Sequence, residues 1–150
     1  MMLTLQERAE IDDLLARYGF ALDLREWDDL RAVFTEDAAI DYSNSTQQHT
    51  GIEKIVQFFR STASRVAATQ HLMHTSRVWS TGADTAEGLT HVTAHHVAHG
   101  VPWPVPEEAT FTVTGTYTDR YVRAAAGWRI SYRRNSLLTR IGDPGILAAR

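Results

Sequence analysis

The chain has 150 residues, of which 43% are apolar and 22% are charged, a balance typical of one globular domain and not of a disordered segment. Its net charge of −3 argues against nucleic acid as the main partner, because phosphate binding requires a basic surface. The chain contains no cysteine, which excludes disulfides and thiolate zinc sites.

No apolar run approaches the roughly 18 residues that would span a membrane, and the opening residues lack the apolar core of a signal peptide. We therefore expect a cytoplasmic protein that binds no membrane. We also expect one domain over residues 1–150, with an ordered core from about residue 5 to about residue 142. The tail Gly142–Arg150 is expected to be poorly ordered.

A helix is predicted near the N-terminus. Thr4 and Glu7 have the spacing of a capping box, and apolar residues then recur at helical intervals, which predicts a helix over about Leu5–Leu22. Asp23 follows at the C-terminal end. A carboxylate is unfavourable there because that end of a helix is partly negative, so Asp23 is expected to have a cationic or hydrogen-bonding partner.

Two further helices and a short strand follow. Apolar residues at helical spacing predict a second helix with one face formed by Trp27, Leu30, Val33 and Phe34. Ala38–Tyr42 is interpreted as a short strand, and Gly51 as the start of a third helix.

After Ala68 the apolar pattern changes from helical to alternating. Two of the breaks between alternating runs have the composition of hairpin turns. We predict four strands, at Thr69–Trp79, Ala86–His99, Ala109–Arg123 and Trp128–Leu138. Helices followed by an antiparallel meander indicate an α+β fold.

Strand alternation assigns side chains to faces. His71, Met73 and Thr75 are expected to share one face of the first long strand. In the next strand His96 shares a face with Thr90, Val92 and Ala94, opposite His91 and His95. The third strand carries five threonines on one face, and its other face is the better pocket wall: Phe111, Val113, Gly115, Tyr117 and Tyr121.

Seven histidines raise the possibility of a metal site, with His91, His95, His96 and His99 as the densest cluster. Strand geometry argues against it, since residues four apart on a strand are separated by about 13 Å and a zinc ion binds its ligands at about 2 Å. We therefore predict no metal site.

Asp23 and His71 are the candidate chemical pair. A carboxylate that accepts a hydrogen bond from one imidazole nitrogen fixes the tautomer and leaves the other nitrogen as a base. The phenols of Tyr18 and Tyr42 could donate to a substrate oxygen as negative charge develops there.

Several motifs, in order, resemble a SnoaL-like domain of the nuclear transport factor 2 superfamily. They are Arg17–Tyr18, Ala21–Asp23, Trp27–Asp28, Phe34–Asp37, Gly51, Ala68–His71, Gly115-x-Tyr117-x-Asp119 and Gly127–Ile130. The resemblance covers about Leu5 to Gly142. It implies a cone of about three helices against a strongly curved, mixed or antiparallel sheet that is open at one end.

Within this family the chain is similar to the branch of scytalone dehydratase, bile-acid 7α-dehydratase and hexachlorocyclohexane dehydrochlorinase. The resemblance implies catalytic roles for Asp23, His71, Tyr18 and His96, with His96 protonating a departing hydroxyl. Substrate contacts are expected from Tyr42, Trp27, Met73, Tyr117 and Arg134, although Arg133 is an alternative to Arg134.

The implied activity is that of a cofactor-independent, dehydratase-like lyase acting on a small, largely apolar cyclic hydroxy-carbonyl compound. An isomerase or cyclase with the same pair is an alternative. A non-catalytic binding or assembly subunit, such as the small subunit of a ring-hydroxylating dioxygenase, is another. Family analogy implies a homo-oligomer, with a dimer as the expected form.

Overall fold

The fold combines three helices with one six-stranded mixed sheet. A computed structural model describes residues 2–42 and 48–148. The elements are α1 (Leu5–Leu24), α2 (Trp27–Val33), β1 (Phe34–Tyr42), β2 (His49–Thr50), α3 (Ile52–Ala63), β3 (Ala68–Ser80), β4 (Thr85–Val97), β5 (Thr110–Ala124) and β6 (Gly127–Gly142). The strand order is β2-β1-β6-β5-β4-β3, with β1 and β6 parallel and the other neighbours antiparallel. The α+β prediction is confirmed, and no helix in the described ranges is long and apolar enough to cross a membrane.

The predicted capping box starts α1. The backbone N–H of Glu7 donates to Thr4 Oγ1 over 3.2 Å, and the backbone N–H of Thr4 donates to Glu7 Oε2 over 2.7 Å. Two of the otherwise unpaired amides at the helix start are thereby satisfied.

We expect Thr4→Ala to lower the free energy of unfolding by about 1 kcal/mol, because the variant loses the side-chain acceptor of the cap. Urea denaturation would measure the change. Thr4→Ser keeps the acceptor and serves as the control, so equal losses in both variants would contradict this role of the hydroxyl.

Helix α1 ends later than predicted, which places Asp23 within its last turn. Arg25 closes the helix in the left-handed conformation, with φ of 60°. Its guanidinium donates to the Val66 carbonyl over 2.8 Å, just before β3. The end of α1 is therefore tied to the beginning of β3.

Close packing of α1 against β3 depends on Gly19. A Cβ atom at this position would lie 3.2 Å from the carbonyl oxygen of His71, closer than ordinary van der Waals contact. The missing side chain lets the helix backbone approach β3, one turn before Asp23. Local packing thus brings Asp23 towards His71.

The second helix is shorter than predicted, because Phe34 belongs to β1. Phe34 pairs with Ile130 of β6 and is buried there. Pairing with a central strand outweighs the helical periodicity that assigned Phe34 to the face of α2.

Two register shifts divide β6 into three segments. Tyr121 pairs with Ile130 but Arg120 pairs with Tyr132, so one extra residue of β6 lies between these pairs. A second extra residue lies where Gly115 pairs with Leu137 and Thr114 with Thr139. Each β-bulge reverses which alternate residues face the core.

The face assignments of β4 and β5 are confirmed, and that of β3 holds only in part. Buried residues alternate along β4 and β5 as predicted, with the threonines of β5 on the outer side. In β3 a register shift between Met73 and Ser76 leaves Thr75 exposed, contrary to its predicted place beside His71.

The tail is folded further than predicted. Pro144–Leu147 forms a 3₁₀ helix whose cap, Asp143, accepts a hydrogen bond from the Gly145 N–H over 2.8 Å. Arg65 donates to the Leu147 carbonyl over 3.0 Å, which fixes this turn to the end of α3. The last two residues of the predicted tail lie outside the described ranges.

Candidate active site

A cavity of about 350 Å³ lies between the helices and the inner face of the sheet. Most of its wall is apolar, with Phe58 and Phe59 from α3 and Phe111 from β5 among the lining residues. The 3₁₀ helix of the tail contributes Pro144 and Leu147. A space of this size and character suits a small, largely apolar molecule.

Asp23 and His71 meet at the wall of this cavity. The Nδ1 atom of His71 lies 2.7 Å from Asp23 Oδ1, and the backbone N–H of His71 donates to Asp23 Oδ2 over 2.8 Å. The Thr69 hydroxyl also donates to Oδ1, over 2.9 Å. Three donors therefore hold the carboxylate in one orientation.

These contacts determine the ionisation of Asp23 and the tautomer of His71. Burial raises the pKa of the Asp23 carboxyl, but hydrogen bonds from His71 and Thr69 outweigh it and leave the pKa below its ordinary value. An ionised carboxylate only accepts, so Nδ1 of His71 carries the proton. Nε2 is then the free basic nitrogen of a ring that lines the cavity.

His96 also lines the cavity, and its ring centroid lies 6.3 Å from that of His71. Its Nδ1 donates to the Phe111 carbonyl over 3.0 Å. Burial lowers the pKa of the His96 imidazole, and the hydrogen bond to the carbonyl offsets only part of this effect. A neutral His96 with its proton on Nδ1 has an acceptor at Nε2, which differs from the predicted role as a proton donor.

This depressed pKa predicts an acid-sensitive contribution to stability. The unfolded imidazole has an ordinary pKa of about 6.5 and takes up a proton at a higher pH than the folded one, so His96 favours unfolding as pH falls below that value. We expect His96→Gln to lose less unfolding free energy than the wild type between pH 7 and pH 5, measured by urea denaturation. His91→Gln, on the outer face of β4, is the control, and an unchanged pH dependence in His96→Gln would contradict the prediction.

Three tyrosine hydroxyls form the second polar region of the site. The Tyr18 hydroxyl lies 2.9 Å from that of Tyr42 and 3.3 Å from that of Tyr117. Burial raises the pKa of both Tyr42 and Tyr117 well above the usual range, so their phenols remain protonated donors. Tyr42 and Tyr117 line the cavity, whereas Tyr18 is fully buried behind them and is not among the lining residues, contrary to its predicted direct contact with substrate.

A buried cation lies beneath these tyrosines. The Arg133 guanidinium is 4.2 Å from the ring centroid of Tyr18 and 4.0 Å from that of Tyr117. Its Nε and Nη2 each donate to Asp119 over 2.7 Å. Burial opposes the charge of Arg133, but the ion pair with Asp119 outweighs it and holds the pKa of Arg133 well above its usual value.

Three predicted substrate contacts lie elsewhere. Arg134 is 57% exposed and pairs with Asp41, because the first bulge of β6 turns Arg133 inward instead. Trp27 lies outside the cavity, where Arg60 of α3 stacks over its ring at 5.5 Å. Met73 shares the face of His71 but packs against the core and is not among the lining residues.

Asn135 is a lining residue that the sequence did not indicate. It is 6% exposed, and its Oδ1 has no hydrogen-bond partner within the described residues. It stands in a polar run of β6, which gives no hydrophobic pattern from which burial could be inferred. Only the position of the first bulge of β6 would have revealed it.

The histidine cluster is split between the faces of the sheet. His96 points inward, whereas His95 bonds the Thr112 hydroxyl on the outer face over 2.8 Å. In residues 2–42 and 48–148 no three histidine, aspartate or glutamate side chains group in a way that could hold a metal ion.

The chain belongs to the SnoaL-like domain family, whose model matches residues 3–134, and this confirms the predicted membership. It is 31% identical over 129 residues to the uncharacterized protein Rv2910c of Mycobacterium tuberculosis, a match that covers 86% of this chain and 84% of that protein.

Two solved structures have a similar fold. Kfla4162 from Kribbella flavida is 29% identical, with a TM-score of 0.80 over 90% of this chain and 93% of that one. The hexachlorocyclohexane dehydrochlorinase LinA-type3 from Novosphingobium barchaimii LL02 is 20% identical, with a TM-score of 0.78 over 97% of this chain and 96% of that one. At 20% identity, the similarity to the dehydrochlorinase shows a common fold and nothing more.

Proposed function

We propose that the protein is a cofactor-independent lyase that removes water from a small, largely apolar cyclic hydroxy-carbonyl compound. The hydrogen bond between Asp23 and His71 at the wall of an apolar cavity is the observation that carries this proposal. A fold shared with a protein named as a dehydrochlorinase supports an elimination reaction.

His71 is the proposed general base. Its Nε2 removes a proton from the carbon next to the substrate carbonyl, while Asp23 holds the ring and stabilises the imidazolium that forms. The apolar wall strengthens the attraction between the Asp23 carboxylate and the His71 imidazolium, because water competes less for the two charges there.

The tyrosines are the proposed electrostatic partners of the carbonyl oxygen. As the proton leaves, negative charge develops on this oxygen, and a hydroxyl of Tyr42 or Tyr117 donates to it. Tyr18 positions these two hydroxyls through its hydrogen bonds and is a positioning residue in this mechanism.

The departing hydroxyl receives its proton from His71. After the carbon–oxygen bond breaks, the His71 imidazolium returns the abstracted proton, hydroxide leaves as water, and the resting pair is restored. Neutral His96 accepts a hydrogen bond from the substrate hydroxyl at Nε2 and orients it towards His71.

The test is product analysis on a panel of cyclic β-hydroxy ketones. Mass spectrometry should show the loss of one water, together with the absorbance of a conjugated enone. A product of unchanged mass would favour an isomerase, in which His71 returns the proton to another carbon. Binding of a ketone without any turnover would favour a non-catalytic binding subunit.

A homo-oligomer is proposed as the assembly. Leu138 is 81% exposed and Ile141 is 58% exposed on the outer face of β6, near the threonines of β5. A second copy of the chain could cover this apolar and threonine-rich surface. Size-exclusion chromatography coupled to light scattering should give the mass of a dimer or a larger assembly. A monomer mass at all protein concentrations would contradict the proposal.

A further inference from the structure

Asn135 lies between the two tyrosines that line the cavity. On β6 it pairs with Tyr42 of the parallel neighbour β1 and with Tyr117 of the antiparallel neighbour β5. Residues paired in this way on adjacent strands have side chains within about 5.5 Å of each other at Cβ. Asn135 therefore completes a row of three polar side chains across the sheet.

The side-chain oxygen of Asn135 is buried and has no hydrogen-bond partner in the part of the chain that the structure describes. Its Oδ1 has no hydrogen bond within residues 2–42 and 48–148, although the residue is only 6% exposed. Buried polar groups are nearly always paired, because an unpaired one destabilises the folded state. An unpaired amide oxygen on the wall of a cavity is explained if a ligand supplies the missing hydrogen-bond donor.

The row can both donate and accept hydrogen bonds. The contacts of Tyr18 with Tyr42 and Tyr117 use two of the three hydroxyl protons, and the third is available to a ligand when it lies on Tyr42 or Tyr117, the two tyrosines that line the cavity. The Asn135 amide adds an acceptor oxygen and an N–H₂ donor, and rotation of this terminal group is soft. A ligand with only a carbonyl oxygen would use the donors of this row and would leave the acceptor oxygen of Asn135 unpaired.

We propose that Asn135 is a specificity-determining residue that hydrogen-bonds a non-leaving hydroxyl next to the substrate carbonyl. The carbonyl oxygen accepts from Tyr42 or Tyr117, and the neighbouring hydroxyl pairs with Asn135. This inference deepens the proposed function, since it concerns the same cavity and narrows the substrate class to hydroxylated cyclic ketones.

The test compares two ketones that differ by one hydroxyl, 1-tetralone and 2-hydroxy-1-tetralone. Isothermal titration calorimetry should show that the wild type binds the hydroxylated ketone about tenfold more tightly, as expected for one added hydrogen bond. In Asn135→Leu the ratio of the two dissociation constants should fall to about one. Leu137→Met, a lining change without polar groups, should keep the tenfold ratio.

Thermal unfolding verifies that the variant is folded. Asn135→Leu removes an unpaired polar group, so its melting temperature should equal or exceed that of the wild type. A preference for the hydroxylated ketone that persists in Asn135→Leu would overturn the inference. The same conclusion would follow if the wild type had no preference or bound neither ketone.

The two proposals can fail separately. If the wild type has the binding preference but removes water from no hydroxy ketone, the lyase function fails and the role of Asn135 stands. If water is removed but Asn135→Leu keeps the preference, the role of Asn135 fails alone.

Discussion

Replacing His71 by alanine is expected to lower turnover by about 10²–10⁴-fold, the usual contribution of a positioned general base. The ring is held by a 2.7 Å hydrogen bond to Asp23 and lines the cavity in which the substrate would lie. Among the described residues that line the cavity, His71 alone is paired with a carboxylate. The measurement is kcat with any hydroxy ketone that the wild type dehydrates.

The matched control is His91→Ala. His91 lies on β4 with its side chain exposed on the outer face, so its loss should leave kcat unchanged. Full turnover in His71→Ala would remove the proposed mechanism. Equal losses in both variants would indicate a general effect on folding, which circular dichroism would detect.

Asp23→Asn should also lower kcat, although it preserves the size of the side chain. An asparagine amide can turn its N–H₂ group towards Nδ1 of His71, which would then become an acceptor. The ring proton would move to Nε2, and the base would be lost from the cavity. Substrate binding should change little, so KM would separate this effect from a disrupted pocket.

The meeting of Asp23 with His71 could be anticipated from sequence because both residues lie in locally regular patterns. The capping box and apolar spacing placed Asp23 at the end of α1, and alternation placed His71 on an inner face. The contact itself rested on family resemblance. Its physical cause, the close approach permitted by Gly19, became visible only in the structure.

The choice between Arg133 and Arg134 could not be made from spacing. Uninterrupted alternation from Trp128 and Ile130 directs Arg134 inward, which was the prediction. One extra residue after Ile130 reverses the phase and buries Arg133. Since neither glycine nor proline marks this bulge, the sequence has no local signal for it.

The same bulge explains why the burial of two important groups of the site could not be predicted from the sequence. Arg133 and Asn135 stand in a run of polar residues, which hydrophobic patterning assigns to solvent. Asn135 is buried between Tyr42 and Tyr117 of the neighbouring strands, and the buried charge of Arg133 is compensated by Asp119 of β5. Such tertiary compensation cannot be derived from one stretch of chain.

The buried ion pair gives the largest expected effect on stability. Asp119 and Arg133 both have side chains with no exposure, and two parallel hydrogen bonds of 2.7 Å join them. The Tyr121 hydroxyl also donates to Asp119, over 2.9 Å. Removing one partner from such a pair leaves an uncompensated charge away from water.

We expect Asp119→Leu to lower the free energy of unfolding by about 3–5 kcal/mol, measured by urea denaturation. The double variant Asp119→Leu/Arg133→Met should recover much of this loss, because apolar residues of similar volume can replace a buried pair without leaving a charge. Arg134→Met, next on the strand and paired at the surface, is the control and should change stability little.

The double variant also separates stability from chemistry. If Arg133 serves only to pair Asp119, a stable double variant should retain full turnover. The guanidinium lies 4.0 Å from the centre of the Tyr117 ring, however, and its positive charge favours the negative charge that develops on the carbonyl oxygen beside the tyrosine hydroxyls during proton abstraction. We therefore expect the double variant to fold but to have a lower kcat, and unchanged kcat would assign Arg133 to folding alone.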